Sequence, residues 1–535
     1  MSAPAAERSL FAGLLAGICD EMLETLVRTA YSPNIKERRD CSTALFDGRG
    51  RLVAQAAAIP VHLGAMPMSV ATVLQAVHDL RRGDVIVLND PFRGGTHLPD
   101  ITMVSPVFAS EPGTPFAFLA TRAHHADVGG FSPGSMGLSR EIYQEGLRIP
   151  PVRLIEEGRP ARDVWEIVLA NVRTPDERRG DLRAQVAAHE TGAARIQEAI
   201  RSYGPIALGE RTEDLLDYAE RLMRAVVRGI PDGDYTFEDQ LDGDGFHDAP
   251  VPICVRISVT GEEAVVDFTG SAPECEGGIN AVEAVTRSAV YYAFLCLLAT
   301  LREGDSAPPR EPPLNAGCFR PIRVVVPAAS VVNAGPPCAV AGGNVETSQR
   351  IVDVVLGALA GALPEVVSAA SQGTMNNLTV GGLDPRTVSP WAFYETIAGG
   401  TGAGPSWDGA DGVHSHMTNT WNTPIEAVEL AYPLRVERYE IRRGTGGLGK
   451  WRGGNGIRRD IRVLADARGA LLADRRTSRP YGLQGGACGE PGEDRLLREG
   501  REIALASKTV LDLRAGDVIS VRTPGGGGWG PAGGV

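Results

Sequence analysis

The sequence predicts an α+β chain: a large mixed α/β body with antiparallel hairpins and several short-strand sheets. Three observations predict it. Leu10, Leu14, Ile18, Met22 and Leu26 recur every four residues, the spacing of a helix with one buried face. Residues 101–108 and 116–121 are apolar runs around a turn that contains Pro112-Gly113, the pattern of a hairpin. The 65 glycines and 37 prolines among 535 residues are too few for disorder and enough to demand many turns.

The elements follow in order. Ser69 is placed to cap a second helix over 70–80. Residues 85–88 read as a buried strand, ended by Asn89-Asp90-Pro91 and Gly94-Gly95. Pro106 weakens the first hairpin strand and suggests an edge or a bulge. From about residue 233 the texture is β-rich, with strands over 235–241, 253–259 and 264–268, the last two joined by Thr260-Gly261-Glu262-Glu263. A long helix over 282–301, a Pro-rich connector over 307–313, a strand over 322–326 and a helix over 351–363 follow. Beyond 368 glycine is dense and strands are short. No internal repeat is present. The expected parts are an N-terminal α/β part (1–230), a central β-rich part with two long helices (231–365) and a Gly-rich, β-rich C-terminal part (366–535).

Charge and cysteine usage exclude several classes. The net charge is −13 and no run of Lys and Arg supplies a basic face, so a general nucleic-acid binder is excluded. The only lysines are Lys36, Lys450 and Lys508. None of the 8 cysteines forms CxxC, so neither a zinc ribbon nor a dithiol redox site is indicated. The N-terminus has no basic leader region, and no apolar run reaches the roughly 18 residues of a membrane helix. A cytoplasmic protein with free thiols is the expectation. Gly444–Lys450 matches GxxxxGK, but Trp451 stands where a Mg²⁺-binding Ser or Thr belongs. It reads as a glycine-rich turn, so use of ATP would need a different architecture or a partner.

The nine histidines carry the chemistry. His97-Leu98-Pro99-Asp100 and His124-His125-Ala126-Asp127 both spell HxxD. If residue 108 pairs near 115, Asp100 faces Ala123 and His97 lies near Ala126, so the two motifs meet at the open end of the hairpin. Two imidazoles and two carboxylates there suit Mn²⁺, Fe²⁺ or Zn²⁺. Such an ion would polarise a carbonyl and lower the pKa of a water. His97, Asp100 and His124 are the best ligands. Asp127 is a fourth ligand or an outer acceptor that orients a histidine. His125 is the weaker of the adjacent pair, because strand neighbours point to opposite faces. Two readings stay open here, a metal site and a pair of polar turns.

Other positions are weaker. His62, in an apolar loop, reads as a buried structural histidine. His414 and His416 share a face only if they lie on a strand. Glu141 and Glu145, four apart, would share a helix face and offer a general base; a solvated face is the alternative. Cys41 and Ser42 have no nucleophile elbow.

Taken in order, Pro60–Met66, Asn89-Asp90-Pro91, Gly94–Asp100, His124–Gly130, Glu145–Pro151, Asn315–Pro321, Asn422–Glu426 and Gly453–Gly456 resemble the hydantoinase B/oxoprolinase family from about Ser32 to Pro531. The resemblance implies a hydantoinase B-like fold. It also implies one subunit of an ATP-dependent hydrolase of hydantoins, N-methylhydantoin or 5-oxoproline, with acetone carboxylase as a relative. It further implies a hydantoinase A-type partner that binds ATP and phosphorylates the carbonyl oxygen of a cyclic amide, in a hetero-oligomer without membrane or nucleic acid. A metal, typically Mn, on His97, Asp100 and His124 is implied too. Beyond what the resemblance carries, Asp127, Glu141 and Glu145 are the candidate catalytic residues. Gly399-Gly400-Thr401-Gly402 is a candidate phosphate contact, with simple chain reversal as the favoured alternative. A carboxylase subunit and a non-catalytic scaffold are the alternatives to the hydrolase.

Overall fold

The computed structural model describes residues 5–56, 58–110, 113–298 and 313–533. Among the described residues it is a mixed helix and sheet structure with four sheets. Every strand pairing is antiparallel except one.

The first sheet positions the site. It contains β1 (Cys41–Asp47), β2 (Leu52–Gln55), β3 (Val85–Leu88), β4 (Asp100–Val107), β5 (Ala117–His124), β6 (Val152–Glu156) and β7 (Arg159–Pro160), in the order β2-β1-β5-β4-β3-β6-β7. All of β4 and β5 is buried, because helices cover both faces. Leu119 and Ala123 pack with Leu15, Met22 and Leu26 of helix Ala5–Thr29 and with Ala184 and Ala188 of helix Pro175–Tyr203. Phe118 and Ala120 pack the other way, against Met66, Val70 and Val73 of helix Ala65–Ala76. The alternation is the two-residue period of a strand.

The hairpin forms, with a register one residue from the expectation. Asp100 faces His124 rather than Ala123, and Val107 faces Ala117. A one-residue slip exchanges the faces. Here it brings His124, and not His125, onto the face of Asp100. β4 is an interior strand, contrary to the edge expected from Pro106. β3 pairs only with Thr102–Val104, so the missing N–H of Pro106 faces no ladder on that side. The second helix starts at Ala65, not after Ser69. Ser69 lies inside it, donating to Gly94 O and accepting from Arg122 Nη2 at 2.8 Å.

The second sheet holds β8 (Gly233–Leu241), β9 (Val251–Thr260), β10 (Glu263–Asp267) and β11 (Ile322–Val325), with β10 and β11 parallel. Its apolar face joins the core that surrounds helices Glu283–Leu298 and Ser348–Ala362. Residues 307–312 of the expected connector and 299–301 of the expected helix lie outside the described residues. The C-terminal region folds as two sheets. One holds β12 (Asn377–Asp384), β13 (Ser389–Glu395), β16 (Ala467–Leu472) and β19 (Lys508–Leu513). The other holds β14 (Leu434–Arg442), β15 (Gly456–Val463), β17 (Glu493–Arg498), β18 (Arg501–Leu505) and β20 (Val518–Arg522). Leu378, Val380 and Phe393 of the one pack against Ile457, Ile461 and Ile519 of the other. No helix among the described residues is long and apolar enough to cross a membrane.

The dense glycines of 399–402 do not offer a phosphate cradle. Gly400 N donates to Pro524 O, Thr401 N to Ala410 O and Gly402 N to Ser371 Oγ. A Cβ at Gly402 would stand 1.8 Å from Ala369 O, so close backbone packing is what requires glycine there. The segment 444–450 runs through Trp451 into β15 and starts no helix.

Helix Pro175–Tyr203 sets one prediction. His189 is buried, with Nδ1 at 2.6 Å from Ser105 Oγ and Nε2 at 3.1 Å from Thr121 Oγ1. Burial pushes the imidazole down to about 3. The unfolded chain takes up this proton near pH 6.5, so the stability is present above that pH and is lost as pH falls toward 3. Going from pH 7 to 5, His189→Gln should lose about 2 kcal/mol less than the unaltered chain. Denaturant titrations at the two pH values measure this; equal losses would contradict it.

Candidate metal centre

The loop between β3 and β4 delivers His97 and Asp100. Asn89 holds the loop from beneath: Nδ2 donates to Leu98 O (2.7 Å) and Leu147 O (2.9 Å), and Oδ1 accepts from Ile149 N (2.6 Å). Asp90 accepts from Phe92 N and starts the turn Pro91–Arg93. Gly94 ends that turn at φ 86°, where a Cβ would stand 2.6 Å from Met68 O.

The ligating atoms of His97, Asp100 and His124 all lie within 4.8 Å of one another, and all three residues are buried. Among the described residues this is the one such cluster of histidine, cysteine and carboxylate groups. Asp100 Oδ1 is its centre, 3.1 Å from His97 Nε2 and 3.3 Å from His124 Nδ1. Oδ2 is held separately: Thr96 Oγ1 donates to it at 2.6 Å and Asn344 Nδ2 at 3.4 Å, with His62 Nε2 at 3.4 Å. His62 Nε2 faces the Asp100 carboxylate, which only accepts, so in the neutral ring the proton sits on Nε2 and Ser42 Oγ, 2.8 Å from Nδ1, donates to it while accepting from Ile59 N. One carboxylate oxygen is thus oriented by three donors and the other is left for the histidines.

The histidines are set for ligation. His97 Nδ1 lies 3.4 Å from Ala341 O, which calls for N–H at Nδ1 and a lone pair at Nε2. His97 Nε2 is buried with no hydrogen-bond partner, and so is His124 Nε2. The His124 ring is stacked on Tyr394 with centroids 4.3 Å apart. Burial pushes His124 down to about 3, keeping it in the neutral form that binds metals. His124 Nδ1 and the orphaned His97 Nε2 flank one carboxylate oxygen, a donor set that fits a divalent cation of the Mn, Fe or Zn kind. A cavity of about 20 Å³, the size of one water, opens beside Asp100 and His124. Asp40, His62, Asn344, Tyr394 and Thr420 are among its walls.

The other expected site residues lie elsewhere. Asp127 is outside the cluster: Oδ2 accepts from Arg173 Nη1 (2.8 Å) and Gly134 N (3.2 Å), Oδ1 from Arg173 N (3.0 Å) and Gly129 N (3.1 Å). With both oxygens so engaged it orders the turn after His125 rather than orienting an imidazole. Glu141 and Glu145 share no helix face. The helix is a single turn, Ile142–Glu145; Glu141 is its exposed cap, and Glu145 is buried. His125 points to the opposite face, with Nε2 at 3.0 Å from Gln185 Oε1. His414 and His416 lie in a loop and not on a strand; His416 Nε2 is 3.8 Å from Asp353 Oδ1. His62, Thr96, Asn344 and Tyr394 join the site without having been expected there. For His62, the signal was its place in Pro60–Met66, one of the segments that carried the family resemblance. Loss of the outer partner His62 (His62→Ala) should weaken metal binding about 10–100-fold with the triad intact. Competition against a chelator measures it.

The sequence profile of the hydantoinase B/oxoprolinase family matches residues 5–532. The chain belongs to this family. It is 40% identical to an uncharacterized protein of Methanocaldococcus jannaschii over 96% of this chain and 88% of that one. It is 38% identical to 5-oxoprolinase 1 of Arabidopsis thaliana over 98% of this chain. It spans only 41% of that relative's length. Among solved structures it superposes on the ATP-dependent caprolactamase from Pseudomonas jessenii with a TM-score of 0.90 at 30% identity, covering 99% of this chain and 92% of that chain. Acetone carboxylase shares the fold, with a TM-score of 0.88 at 19% identity over 98% of this chain and 75% of that chain.

Proposed function

We propose that this chain is the B-type subunit of an ATP-dependent cyclic-amide hydrolase, receiving a carbonyl-activated substrate from an ATP-binding A-type partner. The observation that carries the reading is the buried convergence of His97, Asp100 and His124 on one point beside a water-sized cavity. An amide carbonyl resists water through resonance; O-phosphorylation supplies a leaving group. A divalent ion on the triad supplies a Lewis acid for a carbonyl or water oxygen. The chain's own residues do the rest. Asp100 turns one oxygen to the centre because Thr96, Asn344 and His62 hold the other. His97 and His124 present ring nitrogens, one ring held by Ala341 O and the other against the Tyr394 ring. The cavity beside the triad has room for about one water.

The partner is supported by the Arabidopsis relative, most of whose length lies outside this match, and by the similarity to a caprolactamase that is ATP-dependent. Of the carboxylates expected as catalytic, Glu141 and Asp127 cap and order turns in this reading.

Co-expression with an A-type partner tests the proposal, with ATP turnover assayed against hydantoin, N-methylhydantoin, 5-oxoproline and caprolactam, and against acetone with bicarbonate. Amide-dependent turnover by the complex, lost in His97→Ala, is the expected result. Turnover that requires acetone and bicarbonate would make the chain a carboxylase subunit. Full amide turnover with His97→Ala would make it a scaffold.

A further inference from the structure

Glu145 ends the one-turn helix Ile142–Glu145 and is 1% exposed. That turn grips residues 337–341 at two places. Ile142 N donates to Pro337 O at 2.9 Å. Glu145 Oε1 accepts from both Val340 N (3.0 Å) and Ala341 N (2.9 Å). Immediately beyond, Ala341 turns its carbonyl to His97 Nδ1 at 3.4 Å. Gly342 N and Gly343 N both donate to Gly278 O, at 2.7 and 3.1 Å. Asn344 then reaches Asp100 Oδ2 at 3.4 Å. Residues 341–344 therefore touch two of the three candidate ligands. The packing leaves no slack: a Cβ at Gly278 would stand 3.3 Å from Glu145 Oε1, and a Cβ at Gly343 1.9 Å from Asn280 O.

We propose that Glu145 is a positioning residue for the metal centre: by clamping the amides of Val340 and Ala341 it holds the Ala341 carbonyl on His97 Nδ1, so that Nε2 is the nitrogen presented to the metal. The inference rests on the metal reading of the triad. A carbonyl accepts only, so its bond puts the ring proton on Nδ1, and in the neutral ring that binds a metal the lone pair is then on Nε2. Without the clamp the carbonyl is free to leave, and His97 loses the bond that selects its tautomer. Glu145 reaches no candidate ligand itself; its hydrogen bonds go to backbone two residues short of the Gly343–Thr347 turn. Its second oxygen, Oε2, is buried without a partner, which suits the neutral acid. Burial pushes the carboxyl up to about 8, in the same sense. Glutamine copies that neutral acid: it keeps the accepting oxygen and places an N–H where the acid carries its proton.

The experiment is competition of the full-length chain with a chelator for Zn²⁺ and for Mn²⁺, beside a thermal melt of each variant. Glu145→Gln should bind metal as the unaltered chain does. Glu145→Ala, and Glu145→Asp with its shorter reach, should bind about 10–100-fold more weakly. If Glu145→Ala does not fold, the Gln and Asp variants decide. A purely structural carboxylate would lower the melting temperature and leave metal affinity unchanged; that result overturns the proposal, as does a Gln variant as weak as the Asp one. An unaltered chain that binds no more metal than His97→Ala instead overturns the metal reading itself.

Discussion

Replacing His97 or His124 by alanine is expected to abolish stoichiometric metal binding, whereas replacing His125, next along the chain, is expected to leave it intact. The contrast follows from the strand. His124 N donates to Asp40 O, and its ring lies on the Asp100 side against Tyr394; the His125 ring lies on the far side with Gln185. Each triad histidine supplies one of the three converging atoms, so its loss should exceed the about 10–100-fold that an outer partner costs. Loss of turnover in the assembled complex should follow. Asp100→Ala should do more than remove a ligand. Thr96 Oγ1 and Asn344 Nδ2 would lose their buried acceptor, each at about 1–3 kcal/mol, so that variant should be less stable as well as metal-free. Metal analysis of the purified variants, with His125→Ala as the control, checks this. Equal metal in His97→Ala, His124→Ala and the unaltered chain would sink it.

The second large effect lies between the two C-terminal sheets. Arg459 of β15 forms a two-pronged pair with Glu395 at the end of β13: Nε donates to Oε2 at 2.7 Å and Nη2 to Oε1 at 3.1 Å. Both side chains are fully buried. Oε1 also accepts from Thr423 N at 3.1 Å, and the guanidinium lies 4.6 Å from the Tyr439 ring centre. Arg459→Met leaves the Glu395 carboxylate buried without a counter-charge and should cost about 3–5 kcal/mol. Replacing both, Arg459→Met with Glu395→Leu, should recover most of that, because two apolar groups leave no uncompensated charge. Denaturant unfolding of the single and double variants measures both numbers. A single variant within about 1 kcal/mol of the unaltered chain would show that Glu395 finds protonation or water instead.

Much of the site was legible in the residues. The hairpin was visible because alternation and turn chemistry are local, and two HxxD motifs flanking one hairpin converge whatever surrounds them. The register was less legible. Its one-residue difference decides between His124 and His125, and it is set by strand pairing and helix cover rather than by the turn residues alone. Glu141 and Glu145 show the limit of spacing arguments. Four residues apart means one face only if a helix runs through both, and the helix here begins after Glu141. Asp127 carries the same residue type as Asp100 in the same motif, yet Arg173, 46 residues on, occupies it.

The sequence by itself determined the elements of the candidate metal-site hairpin, the two HxxD motifs at its open end and the family to which the chain belongs, because each is written in local spacing or in ordered motifs. Only the tertiary structure decided what surrounds them. His62 arrives from a turn 38 residues before Asp100, Asn344 from 244 residues after it, and Glu145 acts through backbone 195 and 196 residues away. Burial and the direction of a lone pair are properties of packing between segments remote in sequence. No local pattern encodes which of two adjacent histidines, or which of four carboxylates, is turned toward the centre.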